Sequence, residues 1–305
     1  MSDLTPRISV GITTRNRPVS LDRCLLSLRH IAHMSPEVFV FDDRSDVPVA
    51  RGLSSDSGIR VFCGTGYITG RNAMVAAASS DSVLLLDDDA ALIGSEAIEE
   101  ALQVLRLDPA VGAIAFAQAD SDGRPWPEPM QPGPGIAPRY VPSFIGFAHL
   151  VRRDVFLRLG GYRERFEFSG EEKDFCLRLI EAGCHVVYLP QALVIHDQDR
   201  AGRDSQRYLR YVARNDCLFA LLNEPLTRVC WTLPGRFARY FSMRRAWKIR
   251  DSWGWLWLLG QLGSHAAWVL RERRPVSRRS IRTWHRLRGP GCAYTAARVS
   301  GFDIP

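Results

Sequence analysis

The sequence predicts an α/β protein: a parallel sheet with helices on both faces, followed by a basic helical extension. Three observations predict it. Short apolar runs alternate with segments of helical spacing along the first 116 residues. One run, Val83-Leu84-Leu85-Leu86, ends abruptly in Asp87-Asp88-Asp89, as a buried parallel strand does on emerging at the edge where α/β sites open. The charge is also divided unevenly. Residues 226–305 carry 16 Lys and Arg against 3 Asp and Glu, a net of +13, and residues 1–225 carry 24 against 30, a net of −6.

The elements follow in order. Ile8 to Thr13 reads as a first buried strand. Leu21, Cys24, Leu25 and Leu28 have helical spacing within Leu21–His30. Val38–Phe41 is a second strand ending in Asp42-Asp43, and Ile59–Phe62 a short third. The glycine-rich segment Gly64–Gly70 leads into a helix expected over Arg71–Ala78. Ser95 is the expected N-cap of a helix running to Leu105, and Val111–Phe116 is the next strand. Gln118–Pro142 is too rich in Pro and Gly for a regular helix or a central strand. A loop of that length usually carries function or moves. Order resumes over Phe144–Val151 and Phe156–Gly161, with helices expected at Asp174–Ala182 and Ser205–Leu222 and a strand at Val186–Leu189.

Beyond Pro225 the character changes. Trp253–Leu270 is rich in Trp and Leu, but Gly260, Gln261, Gly263, Ser264 and His265 interrupt it, short of the ~18 apolar residues of a spanning helix. Arginines and Lys248 cluster before it, and Arg271, Arg273, Arg274, Arg278 and Arg279 follow. That pattern suits an interfacial helix on anionic lipid, or a helix packed on the body with a solvated basic face. A basic tail on an acidic body is expected to meet something anionic: a membrane surface, a phosphorylated acceptor or nucleic acid.

Composition narrows the class. At 305 residues the chain can bury a full core. Met1–Arg7 has no apolar segment, which predicts no secretory signal. Seven scattered cysteines without a CxxC pair argue against a zinc site or a disulfide framework and for a reducing cytoplasm. The aspartate triplet is the first candidate for chemistry. Strand alternation points Asp87 and Asp89 one way and Asp88 the other. Two like charges on one side repel, and a divalent cation bridging to a phosphate relieves them.

Four motifs in order then resemble the family 2 glycosyltransferases: ISVGITTRNRP at the first strand, VFVFDDRSD after the second, GRNAMVAAA followed by LLLDDDA, and GEEKDFCLRLIEAG followed by VIHD. The resemblance runs from about Ile8 to about Pro225. It implies a GT-A fold, Rossmann-like, with a mixed, mostly parallel sheet. It also implies a nucleotide-sugar-binding half over 1–117, an acceptor and catalytic-base half over 118–225, and the basic amphipathic extension over 226–305. The implied reaction moves a sugar from a nucleotide diphosphate sugar, UDP- or TDP-linked, to an acceptor hydroxyl, with inversion and a divalent metal, Mn²⁺ or Mg²⁺. The acceptor is a saccharide, a lipid-linked or a small molecule; no nucleic acid is expected. The implied location is cytoplasmic, with a peripheral position on the inner face of the membrane in keeping with the tail.

By the same resemblance Asp87 and Asp89 flank the metal and ribose, with Asp89 the surer ligand, and His196 completes the metal site as neutral imidazole. Asp88 lies beside them with the nucleotide. Asp42 meets the base or ribose and Asp43 shares this, unless Asp42 serves only as an Asx-turn. Thr13 and Arg15 cradle the nucleotide, and Arg71 and Asn72, at a helix start, approach phosphate or base. The acceptor hydroxyl needs a general base. Glu172 ranks first, then Glu171, with Asp174 an orienting or capping acid; the family's usual Asp at the second position is here Glu172. Trp126 stacks on a sugar or simply packs, and Tyr208, Tyr211, Arg214 and Asn215 form a structural or acceptor-side helix.

A sugar-phosphate nucleotidyltransferase would want a glycine-rich phosphate loop after the first strand, and ITTRNRP has no glycine. A phosphatase of the haloacid-dehalogenase type would place its Asp pair there too. A non-enzymatic nucleic-acid or membrane-binding protein using the tail is the remaining alternative; no zinc spacing or RNP-like pattern supports nucleic acid.

Overall fold

The computed structural model describes residues 8–52, 58–198, 204–289 and 292–294. The readings of Met1–Arg7 and of the tail from 295 onward lie outside these residues. In chain order the chain forms β1 (Ile8–Thr14), α1 (Pro18–Ser27), β2 (Glu37–Asp42), β3 (Arg60–Cys63), α2 (Tyr67–Ala77), β4 (Ser82–Asp87), β5 (Ala90–Leu92), α3 (Glu96–Leu107) and β6 (Val111–Ala119). There follow β7 (Arg139–Val141), β8 (Ala148–Arg152), α4 (Arg153–Arg158), α5 (Glu171–Glu181), β9 (His185–His196), α6 (Ser205–Asn223), α7 (Leu226–Ala246), α8 (Gly254–Glu272) and α9 (Arg278–Arg286).

The strands make one sheet in the order β3-β2-β1-β4-β8-β6-β9-β5, with β7 also on β9. The first four run parallel, as expected of βαβ units. β8 then enters antiparallel between β4 and β6, which makes the sheet mixed. Period-two alternation explains the continuous apolar runs. Val83 and Leu85 join the core on one face of the sheet, while Leu84 and Leu86 join that on the other. Each fully buried leucine contributes roughly 1.5–3 kcal/mol.

Among the boundaries that differ from expectation, three shape the site, all for local reasons. α2 begins at Tyr67, four residues before Arg71, because Gly66 at φ +88° turns the chain into it. α5 begins at Glu171 rather than Asp174, after Gly170 at φ +93°. The strand holding the triplet ends at Asp87, and Asp88 and Asp89 form the turn into β5, so alternation stops there. Ser95 stands at the N-cap of α3, but its side chain makes no capping hydrogen bond.

The basic extension closes onto the body. α7 and α8 pack on α6, and α9 packs on α5. Trp268, Val269, Ile281 and Trp284 enter the same apolar cluster as the sheet residues Val83 and Leu85. α8 buries Leu258 and leaves Leu256, Leu259 and Leu270 exposed. Among the described residues no helix is long and apolar enough to cross a membrane.

Candidate active site

The C-terminal ends of β1 and β4 and the loops leading to α2 and α5 border a cleft of about 500 Å³. Of the residues singled out from sequence, Thr13, Arg15, Asp43, Arg71, Asp87, Asp88, Asp89, Glu172, His196 and Tyr208 line it. Asp42, Asn72, Glu171 and Asp174 do not, and the reasons are legible in their partners.

Asp42 is buried at the end of β2. Its two oxygens accept the backbone N–H groups of Ser45 and Val49 at 2.8 and 2.9 Å, which is the Asx-turn reading. These bonds hold its carboxyl below the ordinary value although burial alone would raise it. Asp43 accepts the Gly66 N–H at 2.7 Å and still faces the cleft. Asn72, well inside α2 rather than at its start, spans to the next loop instead: its amide donates to the Tyr162 carbonyl at 2.8 Å and accepts the Tyr162 N–H at 2.9 Å.

The triplet divides differently from strand alternation. Asp88 accepts the Thr14 hydroxyl at 2.7 Å, and the Arg17 guanidinium meets Asp88 and Asp89 at 3.2 Å each. Asp88 and Asp89 therefore converge on Arg17, whereas Asp87 turns to Arg71 at 2.7 Å. Turn geometry replaces pleat geometry at these two residues, so the opposed orientation expected for Asp88 does not hold. Burial raises Asp88, with Thr14 and Arg17 acting against it. Arg17 was not singled out from sequence. It sits two residues beyond Arg15, and its pairing across 71 positions has no local signature.

Arg71 is the centre of the site. It is 1% exposed, lies over the Tyr67 ring, and forks between Asp87 at 2.7 Å and Glu171 at 3.1 Å while donating to the Gly146 carbonyl at 2.7 Å. It thus ties the aspartate edge to the acidic start of α5. Gly146 allows this approach: a Cβ there would collide with Glu172 Oε1 and crowd both terminal nitrogens of Arg71.

The three acids of α5 separate by depth. Asp174 is fully buried and held by Arg163 at 2.5 Å and Arg178 at 2.9 Å, with Asn223 donating at 2.7 Å. These partners keep its carboxyl low despite burial. It orients the helix, and burial keeps it from any acceptor. Glu171 is also fully buried; burial and Glu172 push it up to about 8 against the pull of Arg71. Glu172 alone faces the cleft, and its Oε2 accepts the Gly170 N–H at 3.2 Å. The loop before it is under tension, with Glu167 and Ser169 at positive φ. Asn215 holds it: its amide reaches the carbonyls of Phe166, Phe168 and Ser169 at 2.9, 2.9 and 2.6 Å. Arg214 donates to Phe166 at 2.6 Å. This assigns the Arg-Asn pair of α6 a structural task.

The Glu171 shift carries a pH signature. The folded chain keeps that proton up to about pH 8, whereas the unfolded chain releases it above about 4.5. Folding therefore loses stability as pH rises through that window. Melting curves in EDTA are expected to show the wild type falling relative to Glu171→Gln between these limits; parallel profiles would remove the buried proton.

His196 is sandwiched between the rings of Phe147 and Trp126, at centroid distances of 4.4 and 5.3 Å. Trp126 thus packs on the imidazole. Gln118 Nε2 donates to the Met130 carbonyl, so its Oε1 faces His196 Nδ1 at 2.5 Å and accepts its proton. The opposite nitrogen, Nε2, faces Asp89 at 3.7 Å. Among the described residues no three His, Cys, Asp or Glu side chains converge as a ready-made metal cage. The donor set still fits Mn²⁺ or Mg²⁺, which take one or two carboxylates and complete their shell with phosphate oxygens and water. A histidine whose other nitrogen is locked to an amide oxygen suits ligation.

A curled, mixed sheet with an acidic edge opposite a carboxylate-bearing helix start defines the GT-A glycosyltransferase fold, and the solved structures agree. The chain resembles GalNAc-T7, crystallised with UDP, GalNAc and Mn²⁺, with a TM-score of 0.61 at 15% identity over 87% of this chain and 58% of that one. It resembles residues 1–349 of S. aureus TarS with a TM-score of 0.58 at 18% identity over 84% and 79%. Residues 9–160 match the model described as glycosyl transferase family 2, and the chain belongs to that family. It is also 30% identical over 219 residues to the pre-mycofactocin glycosyltransferase of Mycobacterium tuberculosis, covering 65% of this chain and 44% of that protein. The chain thus spans less than half the length of this curated relative.

Proposed function

We propose that the protein transfers a sugar from a nucleotide diphosphate sugar to an acceptor hydroxyl, with inversion at the anomeric carbon. One observation carries the reading: the Asp87–Asp89 edge and Glu172 line one cleft, and beneath it Arg71 ties Asp87 to Glu171, the residue next to Glu172. Thr13, Arg15 and Asp43 border the donor side, where Arg15 and Arg17 supply positive charge for a diphosphate. UDP and Mn²⁺ bound in the GalNAc-T7 structure support a UDP-linked donor, with a TDP-linked one of the same charge. Asp87, Asp89 and His196 would hold the metal, which as a Lewis acid offsets charge on the departing diphosphate.

Glu172 takes the acceptor proton as the acceptor oxygen bonds to the anomeric carbon. The bond from that carbon to the diphosphate oxygen breaks, and the nucleoside diphosphate leaves on the opposite side. Glu172 as the base, with the aspartates taken up by the metal and the donor, favours one displacement. A nucleotide-sugar panel scored for Mn²⁺-dependent donor hydrolysis tests the class, and NMR of the product tests inversion; retained configuration would overturn it. Asp89→Ala is expected to weaken Mn²⁺-dependent nucleotide binding by about 100-fold or more, in line with the several kcal/mol such a metal supplies. Unchanged titration of UDP in Mn²⁺ would remove Asp89 from the metal set.

A further inference from the structure

A second cavity, about 580 Å³, lies behind the cleft between α5, α6, α7 and α9. Ser169 borders both spaces, and Gly170, whose N–H meets Glu172, borders this one. Four cations, Lys173, Arg236, Arg239 and Arg288, enter it against two carboxylates, Asp216 and Glu224. The carboxylates are already engaged. Arg236 binds both Asp216 and Glu224, and Arg239 reaches Asp216 at 3.4 Å. Lys173 and Arg288 are left over. Among the described residues neither side chain makes a hydrogen bond or an ion pair, and Arg288 has only the Trp284 ring at 5.8 Å. Desolvation of the stems inside the concavity, although both side chains reach solvent at its rim, and the neighbouring arginines hold both groups below their ordinary values, with Asp216 acting the other way. Two surplus cations gathered in one concavity repel each other, and an anion seated between them removes that cost. Lysine offers a point charge and arginine a planar fork, a pairing suited to phosphate oxygens.

Besides Asn215, Thr232 and His285, the wall has an apolar part. Phe219, Ile281 and Trp284 form its base, and Trp231 stands at the mouth, 85% exposed. A large aromatic left in water beside a cationic pocket fits a ligand with an anionic head and an apolar or ring-bearing body. α7 and α9, from the extension, close a chamber whose other walls are α5 and α6.

We propose that this cavity binds the phosphate or diphosphate ester of the acceptor, whose body passes Ser169, the residue that borders both spaces, so that its hydroxyl reaches Glu172. The proposal rests on the transferase reading above and names the acceptor class for it.

Calorimetric titration in EDTA, which withholds any metal from the donor cleft, tests it with inorganic pyrophosphate and a short prenyl diphosphate as probes. Both are expected to bind the full chain. The double variant Lys173→Gln/Arg288→Gln is expected to weaken both about 10- to 100-fold, for the loss of two charge-assisted contacts. Both residues are exposed, so an unchanged melting temperature checks the fold. Asp89→Ala is expected to bind both probes as the wild type does. Tighter binding of the prenyl probe, erased by Trp231→Ala, identifies a lipid-borne phosphate; equal binding identifies a soluble one. Absence of binding to the wild type, equal affinity in the double variant, or loss in Asp89→Ala would overturn the proposal. Metal-dependent donor hydrolysis without acceptor, which the double variant is expected to retain, reads the transferase class separately. Its absence from the wild type would sink that class while leaving the EDTA titration interpretable.

Discussion

Glu172→Gln is expected to lower sugar transfer about 10²- to 10⁴-fold, the range a positioned general base supplies, while leaving nucleotide binding in Mn²⁺ unchanged. The substitution keeps length and shape, and an amide oxygen can still accept the Gly170 N–H that Glu172 accepts at 3.2 Å. What it removes is the capacity to take a proton at the cleft surface. Its neighbours cannot substitute: Glu171 is sealed beneath Arg71, and Asp174 is fixed between Arg163 and Arg178. Rates of nucleotide release with acceptor, set beside UDP titration, separate the two effects. Full transfer by Glu172→Gln would move proton acceptance to another group. Loss of both transfer and UDP binding would show a role in holding the donor instead.

Above about pH 8, where Glu171 is ionised, Arg71→Met is expected to destabilise the fold by about 3–5 kcal/mol, the cost of breaking a buried ion pair from one side. Methionine fills much of the same space, but Glu171 then loses the only cation it pairs with among the described residues, the Gly146 carbonyl loses a donor, and Asp87 loses a 2.7 Å partner. Arg71→Lys is expected to recover only part of this, since a single ammonium cannot fork between Asp87 and Glu171. Adding Glu171→Gln to Arg71→Met is expected to restore some stability by removing the orphaned acid. Urea unfolding of the three variants gives the comparison. A loss below about 1 kcal/mol in Arg71→Met would mean that water reaches and solvates the acids, contrary to their burial.

The core and the order of the motifs were readable from the chain because they depend on local pattern. Val83–Leu86 is apolar without a break because both faces of β4 are covered. The turn glycines marked the approach to α2 and α5, although the helices begin at Tyr67 and Glu171, nearer those glycines than apolar spacing suggested. Asp43, Asp87, Asp89, Glu172 and His196 were placed on one cleft by motif order. The fate of each acid was not readable in that way. Asp42 and Asp43 are adjacent in sequence, yet one is used up by two loop N–H groups and the other faces the cleft. Only the curl of the chain after β2 decides between them.

By itself the sequence determined the α/β class, the family, the acidic strand edge and the excess of positive charge in the last 80 residues. These follow from periodicity, motif order and composition, which need no knowledge of distant neighbours. Tertiary structure alone decided that Arg17 closes on Asp88 and Asp89, that Arg71 is a buried tie, and that Lys173 and Arg288 line one chamber behind the base. Each of these joins residues tens of positions apart or more. The energy of a buried charge depends on what the fold places against it, and that is set only when the chain has closed.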